Sequence, residues 1–260
     1  MASTDTRAPG ANTPDKMPPA TLDPRPWGLW ASLGWYLLIF EVEGRIYDYV
    51  LSTTGLQAFL DRTYVLHVLG ILLAWGLNLL IILLAVWLTR IPVRDYLGWT
   101  CPHMRDVALA IAVPVALYAA FCLLLFYGGA ATGAVEDYRA TIAAGTSPWW
   151  FVLQAWPTLL MSPFVEETFF RGFLWRGVQS RFGNGMAFLV STPLFAAMHY
   201  DYWLAGGSVN YFAVGQYLVS SAVFGWLRWR SGGTIAPMIA HALDNAGLKV
   251  SQMVLSAFVP

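Results

Sequence analysis

Charge is what this sequence has least of. Asp, Glu, Lys and Arg together make up 12% of its 260 residues, against about 25% in a typical soluble domain. That deficit points to lipid rather than water as the solvent. Fifteen basic and fifteen acidic side chains cancel to a formal net charge of zero, which leaves no electrostatic footprint for nucleic acid and excludes that partner class. The two cysteines, Cys101 in a polar connection and Cys122 inside an apolar run, are too few and too differently placed for a disulfide framework. No internal repeat is visible, so an inverted-repeat transporter gains no support.

What is present is apolar and aromatic: 57% hydrophobic residues and 15% Phe, Trp and Tyr. Residues 1–26 are rich in Pro, Thr, Ala and Asp, contain no apolar stretch that could act as a signal-peptide core, and read as a disordered cytoplasmic tail. Beyond them, seven segments approach the roughly 20 apolar residues a membrane-crossing helix needs: 27–42, 64–88, 107–129, 148–168, 185–205, 210–228 and 234–258. The expected fold is an all-α polytopic transmembrane helix bundle of about seven spans, within bounds of six to eight. Residues 27–147 would form its N-terminal helices and 148–260 a catalytic core, while 45–62 is too polar to span and is expected at the interface.

The connections carry the orientation. Arg7, Lys16 and Arg25, then Arg90, Arg94 and Arg105, then Arg171, Arg176 and Arg181, then Arg228 and Arg230 all fall on one side, against Arg45, Arg62 and Arg139 on the other. The positive-inside rule places the arginine-rich side and the N-terminus in the cytoplasm. Tryptophans near the expected span ends, among them Trp27, Trp99, Trp149, Trp150, Trp203 and Trp229, suit an interfacial belt.

Ionisable groups inside spans cost roughly 2.5–3.5 kcal/mol each on insertion scales, so they are usually paired or functional. The strongest cluster is Glu166-Glu167-Thr168-Phe169-Phe170-Arg171. Glu167 and Arg171, at i and i+4 in acid-first order, can neutralise each other. Glu166 has no such local counter-ion, and in a dry cavity it would trade protons near neutral pH. On that segment alone, carboxylates merely resting at a polar interface explain the pattern equally well. A lone intramembrane histidine such as His199 is more often a hydrogen-bonding link between helices than a reactive group. His241 and Asn245 share a helix face, with Asp244 beside them. Two imidazoles, a free carboxylate and an amide on three separate spans exceed what pairwise helix contacts require.

Read together, EExxxR (Glu166, Glu167, Arg171), FxxxH (Phe195, His199) and HxxxN (His241, Asn245), in that order on successive spans, resemble the CAAX prenyl protease and bacteriocin-processing family of intramembrane proteases, which includes the Ras-converting endoprotease. The resemblance implies that Glu166 acts as general base with His199 on a water molecule, that His241 and Asn245 hold the developing oxyanion, and that Glu167 and Arg171 form a supporting ion pair. It implies no cofactor. A zinc-dependent alternative would use Glu166, His199 and His241 as ligands, although the short HExxH signature is absent. Neither a GxSG serine nor a GxGD partner for Asp201 is present, which disfavours the other intramembrane protease classes. The expected substrate is a hydrophobic, lipid-modified or membrane-anchored protein or peptide cut near the cytoplasmic surface of a prokaryotic plasma membrane. From the residues alone, a non-enzymatic proton-coupled carrier or assembly factor, with Glu166, His199 and His241 as a relay, is the competing reading.

Overall fold

A computed structural model describes residues 25–60, 62–127, 155–200 and 208–258, together with Arg139, Ala143 and Leu204. All regular structure among these is helical. Helix α1 (Leu29–Tyr36) continues through a π-helical stretch, Leu37–Glu43, into α2 (Gly44–Thr54), and α3 (Leu56–Leu60) follows Gly55. Then come α4 (Tyr64–Leu88), α5 (Val93–Leu97) and α6 (Met104–Tyr127). Helix α7 (Trp156–Glu167) runs through a second π-helical stretch, Thr168–Leu174, into α8 (Trp175–Met198), which is interrupted by non-helical backbone at Gly183. Helices α9 (Tyr211–Ser231) and α10 (Ile235–Leu255) complete the chain.

Two helices, Tyr64–Leu88 and Met104–Leu124, are long and apolar enough by composition to cross a membrane. On α4 the leucines Leu69, Leu73, Leu77, Leu80 and Leu84 face outward, Leu73 being 70% exposed, while Ile82, Ala85 and Val86 on the other side are fully buried. A helix that is apolar on its outer face as well as its inner one suits lipid, where every backbone group must bond internally.

Several boundaries differ from the sequence expectation for identifiable reasons. The first helix does not stop at Glu41, because Glu41 is paired with Arg45 one turn later at 3.4 Å, and the helix runs on to Thr54 where an interfacial stretch was expected. The connection expected after residue 168 is instead buried helix: every residue from Thr168 to Leu174 is inaccessible, Arg171 included. Arg171 is therefore not a loop cation, and it leaves the orientation count. The tail up to residue 24, the boundary at 147/148, Trp149, Trp150, Asp201 and Trp203 lie outside the described residues.

The buried π-helical stretch is the hub of the core. Phe169 meets Phe40 at 5.0 Å between ring centres, Phe173 stacks on Tyr96 at 5.4 Å, and Phe170 meets Phe195 at 5.3 Å. Each such pair contributes about 0.5–1.5 kcal/mol beyond area burial. Ile82, Val86 and Ala110 belong to the same cluster, so the N-terminal helices and the expected catalytic core share one interior. Polar ties fix the arrangement: Trp27 Nε1 donates to the Ala85 carbonyl at 2.8 Å, and Thr234 Oγ1 donates to the Leu97 carbonyl at 3.2 Å. Helix α8 approaches α1 at Gly177, where a Cβ would lie 2.6 Å from the Trp27 carbonyl oxygen and would collide with Ser32 Oγ. Gly177→Ala should consequently lower unfolding stability by about 1–3 kcal/mol, read as a drop in the thermal midpoint of purified protein. Wild-type stability in that variant would mean that α1 is free to move away.

Candidate active site

The Leu37–Glu43 stretch and helices α2, α4, α7, α8, α9 and α10 line one cavity of about 700 Å³. Helix α7 contributes Ser162 and Glu166, the end of α8 contributes Phe195 and His199, α9 contributes Tyr217, and α10 contributes His241, Asp244 and Asn245. Successive α7 turns set Ser162 under Glu166, so the Ser162 hydroxyl donates to Glu166 Oε1. The other oxygen, Oε2, is buried and takes no hydrogen bond among the described residues. It faces both imidazoles, lying 3.8 Å from His199 Nε2 and 3.9 Å from His241 Nε2. These separations exceed a direct hydrogen bond, and are short enough for one water to contact carboxylate and ring together.

Each imidazole is held from its far side. His199 Nδ1 donates to the Phe195 carbonyl at 2.8 Å, and the ring stacks on Tyr217 at 4.4 Å. Because a carbonyl only accepts, a neutral His199 carries its hydrogen on Nδ1 and offers the Nε2 lone pair to the cavity. His241 Nδ1 donates to Glu167 Oε1 at 3.0 Å, with its ring stacked on Phe224 at 4.7 Å. A carboxylate likewise only accepts, so His241 presents an N–H at Nε2 only as the imidazolium, the form that faces Glu166 and Glu167 with a donor on each side.

Glu167 and Arg171 form a fully buried ion pair at 3.1 Å. Arg171 Nη2 also donates to the backbone carbonyl and the hydroxyl of Ser221, both at 2.7 Å, and the guanidinium lies 4.8 Å from the Phe195 ring centre. One carboxylate thus bridges Arg171 and His241, linking the EExxxR and HxxxN segments. Asn245 Nδ2 donates to the Thr158 carbonyl at 3.3 Å, which occupies one of its two amide hydrogens.

All four residues expected to act directly, Glu166, His199, His241 and Asn245, line the cavity, while the expected supporting pair, Glu167 and Arg171, lies behind it. Ser162, Tyr217 and Phe224 escaped the sequence reading. Ser162 alone carried a signal, its i−4 spacing from Glu166. Among the described residues no group of three or more His, Cys, Asp or Glu side chains is arranged to hold a metal ion.

Residues 148–247 match the family described as type II CAAX prenyl endopeptidase, Rce1-like. This segment is similar to Rce1-like domains. It contains all three motifs, and the recognition made from those motifs agrees with the match. No curated protein and no solved structure matches the chain.

The cavity lies away from the arginine-rich helix ends. Its rim is formed by Arg45, Asp48 and Lys249, with Ala155 at the start of α7 and Tyr200 past the end of α8. Arg90, Arg94, Arg176, Arg228 and Arg230 belong to the opposite ends of these antiparallel helices.

Proposed function

We propose that this Rce1-like chain is an intramembrane endopeptidase of the glutamate type, cutting a hydrophobic, lipid-modified or membrane-anchored protein or peptide. The observation that carries the reading is the buried Glu166 Oε2, poised between two oriented imidazoles inside a cavity that reaches the surface. A water held between Glu166 and His199 attacks the scissile carbonyl carbon, and Glu166 takes its proton. The carbonyl oxygen gains the negative charge, which the His241 Nε2 proton and the remaining Asn245 amide hydrogen stabilise; such donors contribute about 3–4 kcal/mol to a hydrolysis. The proton then passes to the leaving nitrogen as the C–N bond breaks, releasing an acid and an amine. Glu167 and Arg171 hold His241 in its donating orientation. The substrate class follows the family's prenyl endopeptidase description and the apolar surroundings of the cavity.

The competing chemistry is zinc held by Glu166, His199 and His241. Asn245 is a poor metal ligand and a good hydrogen-bond donor, which suits an oxyanion site better than a coordination sphere. Cleavage of a membrane-anchored peptide by purified protein should survive phenanthroline, with a non-chelating isomer as control and metal content measured in parallel. Stoichiometric zinc whose removal abolishes cleavage and whose return restores it would reassign the three residues as ligands.

We assign the arginine-rich end to the cytoplasm, so the substrate enters from the opposite face. Cys101, exposed at the arginine-rich end, is a built-in reporter. On intact cells a membrane-impermeant maleimide should label Asp48→Cys at the cavity rim and spare Cys101 until the membrane is permeabilised. The reverse pattern would place the cavity on the cytoplasmic side.

A further inference from the structure

At the end of the bundle remote from the catalytic cavity lies a second pocket of about 270 Å³, between α5, the start of α8 and the end of α9. Three of its lining residues are arginines: Arg94, Arg176 and Arg228. Arg228 is 94% buried, its Nε donates to the Arg171 carbonyl at 2.7 Å, and its guanidinium lies 5.8 Å from the Trp175 ring centre. Arg176 stands near enough to Arg228 for like-charge repulsion, and its Nε is buried without a hydrogen-bond partner among the described residues.

What this pocket lacks is counter-charge. Arg45, Arg171 and Arg230 each meet a carboxylate, the last pairing with Asp106 at 2.9 Å. None of the three pocket arginines forms an ion pair among the described residues. Asp95 sits on the rim, exposed and beyond ion-pair distance. Crowding cations in a partly dry site is costly unless an anion completes it, and guanidinium forks match a phosphate in geometry as well as charge. Gly98 packs against the Arg228 head group: it adopts φ +67, which disfavours a side chain, and a Cβ there would lie 3.1 Å from Arg228 Nη2.

We propose that this pocket binds a phosphate group through Arg94, Arg176 and Arg228. Two sources share that chemistry, an anionic phospholipid headgroup and free phosphate. Trp229, 52% exposed and lining the same pocket, is the residue type that sits at headgroup level, and basic pockets between helices on the cytoplasmic side recognise lipid headgroups. The site is independent of the hydrolytic reading and would stand if that reading failed.

The test uses the full chain purified in detergent. Thermal midpoints and native mass spectra are recorded with phosphatidylglycerol, with phosphatidylcholine and with inorganic phosphate, for wild type, Arg176→Gln and Arg94→Gln. Wild type should be raised in midpoint and retain the anionic lipid in preference to phosphatidylcholine, and each variant should lose about tenfold in affinity, the effect of one charge-assisted contact. Whatever midpoint each variant starts from, the quantity that decides is the ligand-induced shift, which a purely structural arginine would leave intact. A response to phosphatidylglycerol alone assigns the lipid headgroup, and an equal response to inorganic phosphate assigns the free anion. Equal retention of phosphatidylglycerol and phosphatidylcholine with no effect of phosphate, or variants that bind as wild type does, would overturn the proposal.

Discussion

Glu166→Gln should give a folded protein that no longer cleaves its substrate. The amide preserves volume and can still accept the Ser162 hydrogen bond, so the midpoint of thermal unfolding should hold near that of wild type. What it cannot do is take a proton from water. Loss of a positioned general base typically costs about 10²–10⁴ in rate, and single-turnover cleavage of a fluorogenic membrane-anchored peptide would read it directly. Ser162→Ala is the graded comparison: it removes only the donor to Oε1 and should slow cleavage far less. A Glu166→Gln enzyme within about twofold of wild type would end the glutamate mechanism. Proton-driven uptake into vesicles that Glu166→Gln abolishes, with no cleavage by either protein, would move the chain to the carrier reading.

Arg171→Ala should be the most destabilising single change in the core. It strips Glu167 of its guanidinium and leaves a fully inaccessible carboxylate with His241 as its remaining partner. Breaking a buried pair from one side costs about 3–5 kcal/mol, because the survivor keeps its charge without its solvent. Arg171→Lys keeps the charge and gives up the fork that reaches Glu167 and Ser221 together, so it should fall between alanine and wild type. The double variant Glu167→Gln with Arg171→Met should be less damaging than the two single changes summed, with a coupling of about 0.5–3 kcal/mol. Unfolding titrations in mixed micelles give all four corners of that cycle. Alanine at 171 behaving as wild type would show that the pair contributes nothing.

The residues of the site were legible because lipid makes charge expensive. Glu166, His199, His241 and Asn245 stood out against apolar sequence, and the structure brings them to one cavity. The helical class was legible for the same reason, while the number of spans rests on hydropathy, and two helices meet the length and composition test outright. Arg171 was misplaced in a connection because hydropathy prices each residue alone. Its actual cost is offset by Glu167, which the i, i+4 spacing shows, and also by Ser221 and the rings of Phe195 and Phe224, which its sequence neighbours do not show. Ser162, Tyr217 and Phe224 are ordinary residues for a helix and become specific only through tertiary neighbours.

The π-helical winding at Thr168–Leu174 separates two sites on one continuous rod: Glu166 faces the catalytic cavity on one side of it, and Arg176 faces the arginine pocket on the other. A π turn holds one residue more than an α turn. Rewinding this stretch as ordinary helix with no residue removed would shift the two ends relative to each other by about one residue, roughly 100° of rotation and 1.5 Å of travel. Either site could be kept in register by such a change, but not both. A chimera that grafts the EExxxR motif onto a regular helix would therefore inherit half the molecule's wiring, and donor segments need to run from Ser162 through Gln179 as a unit.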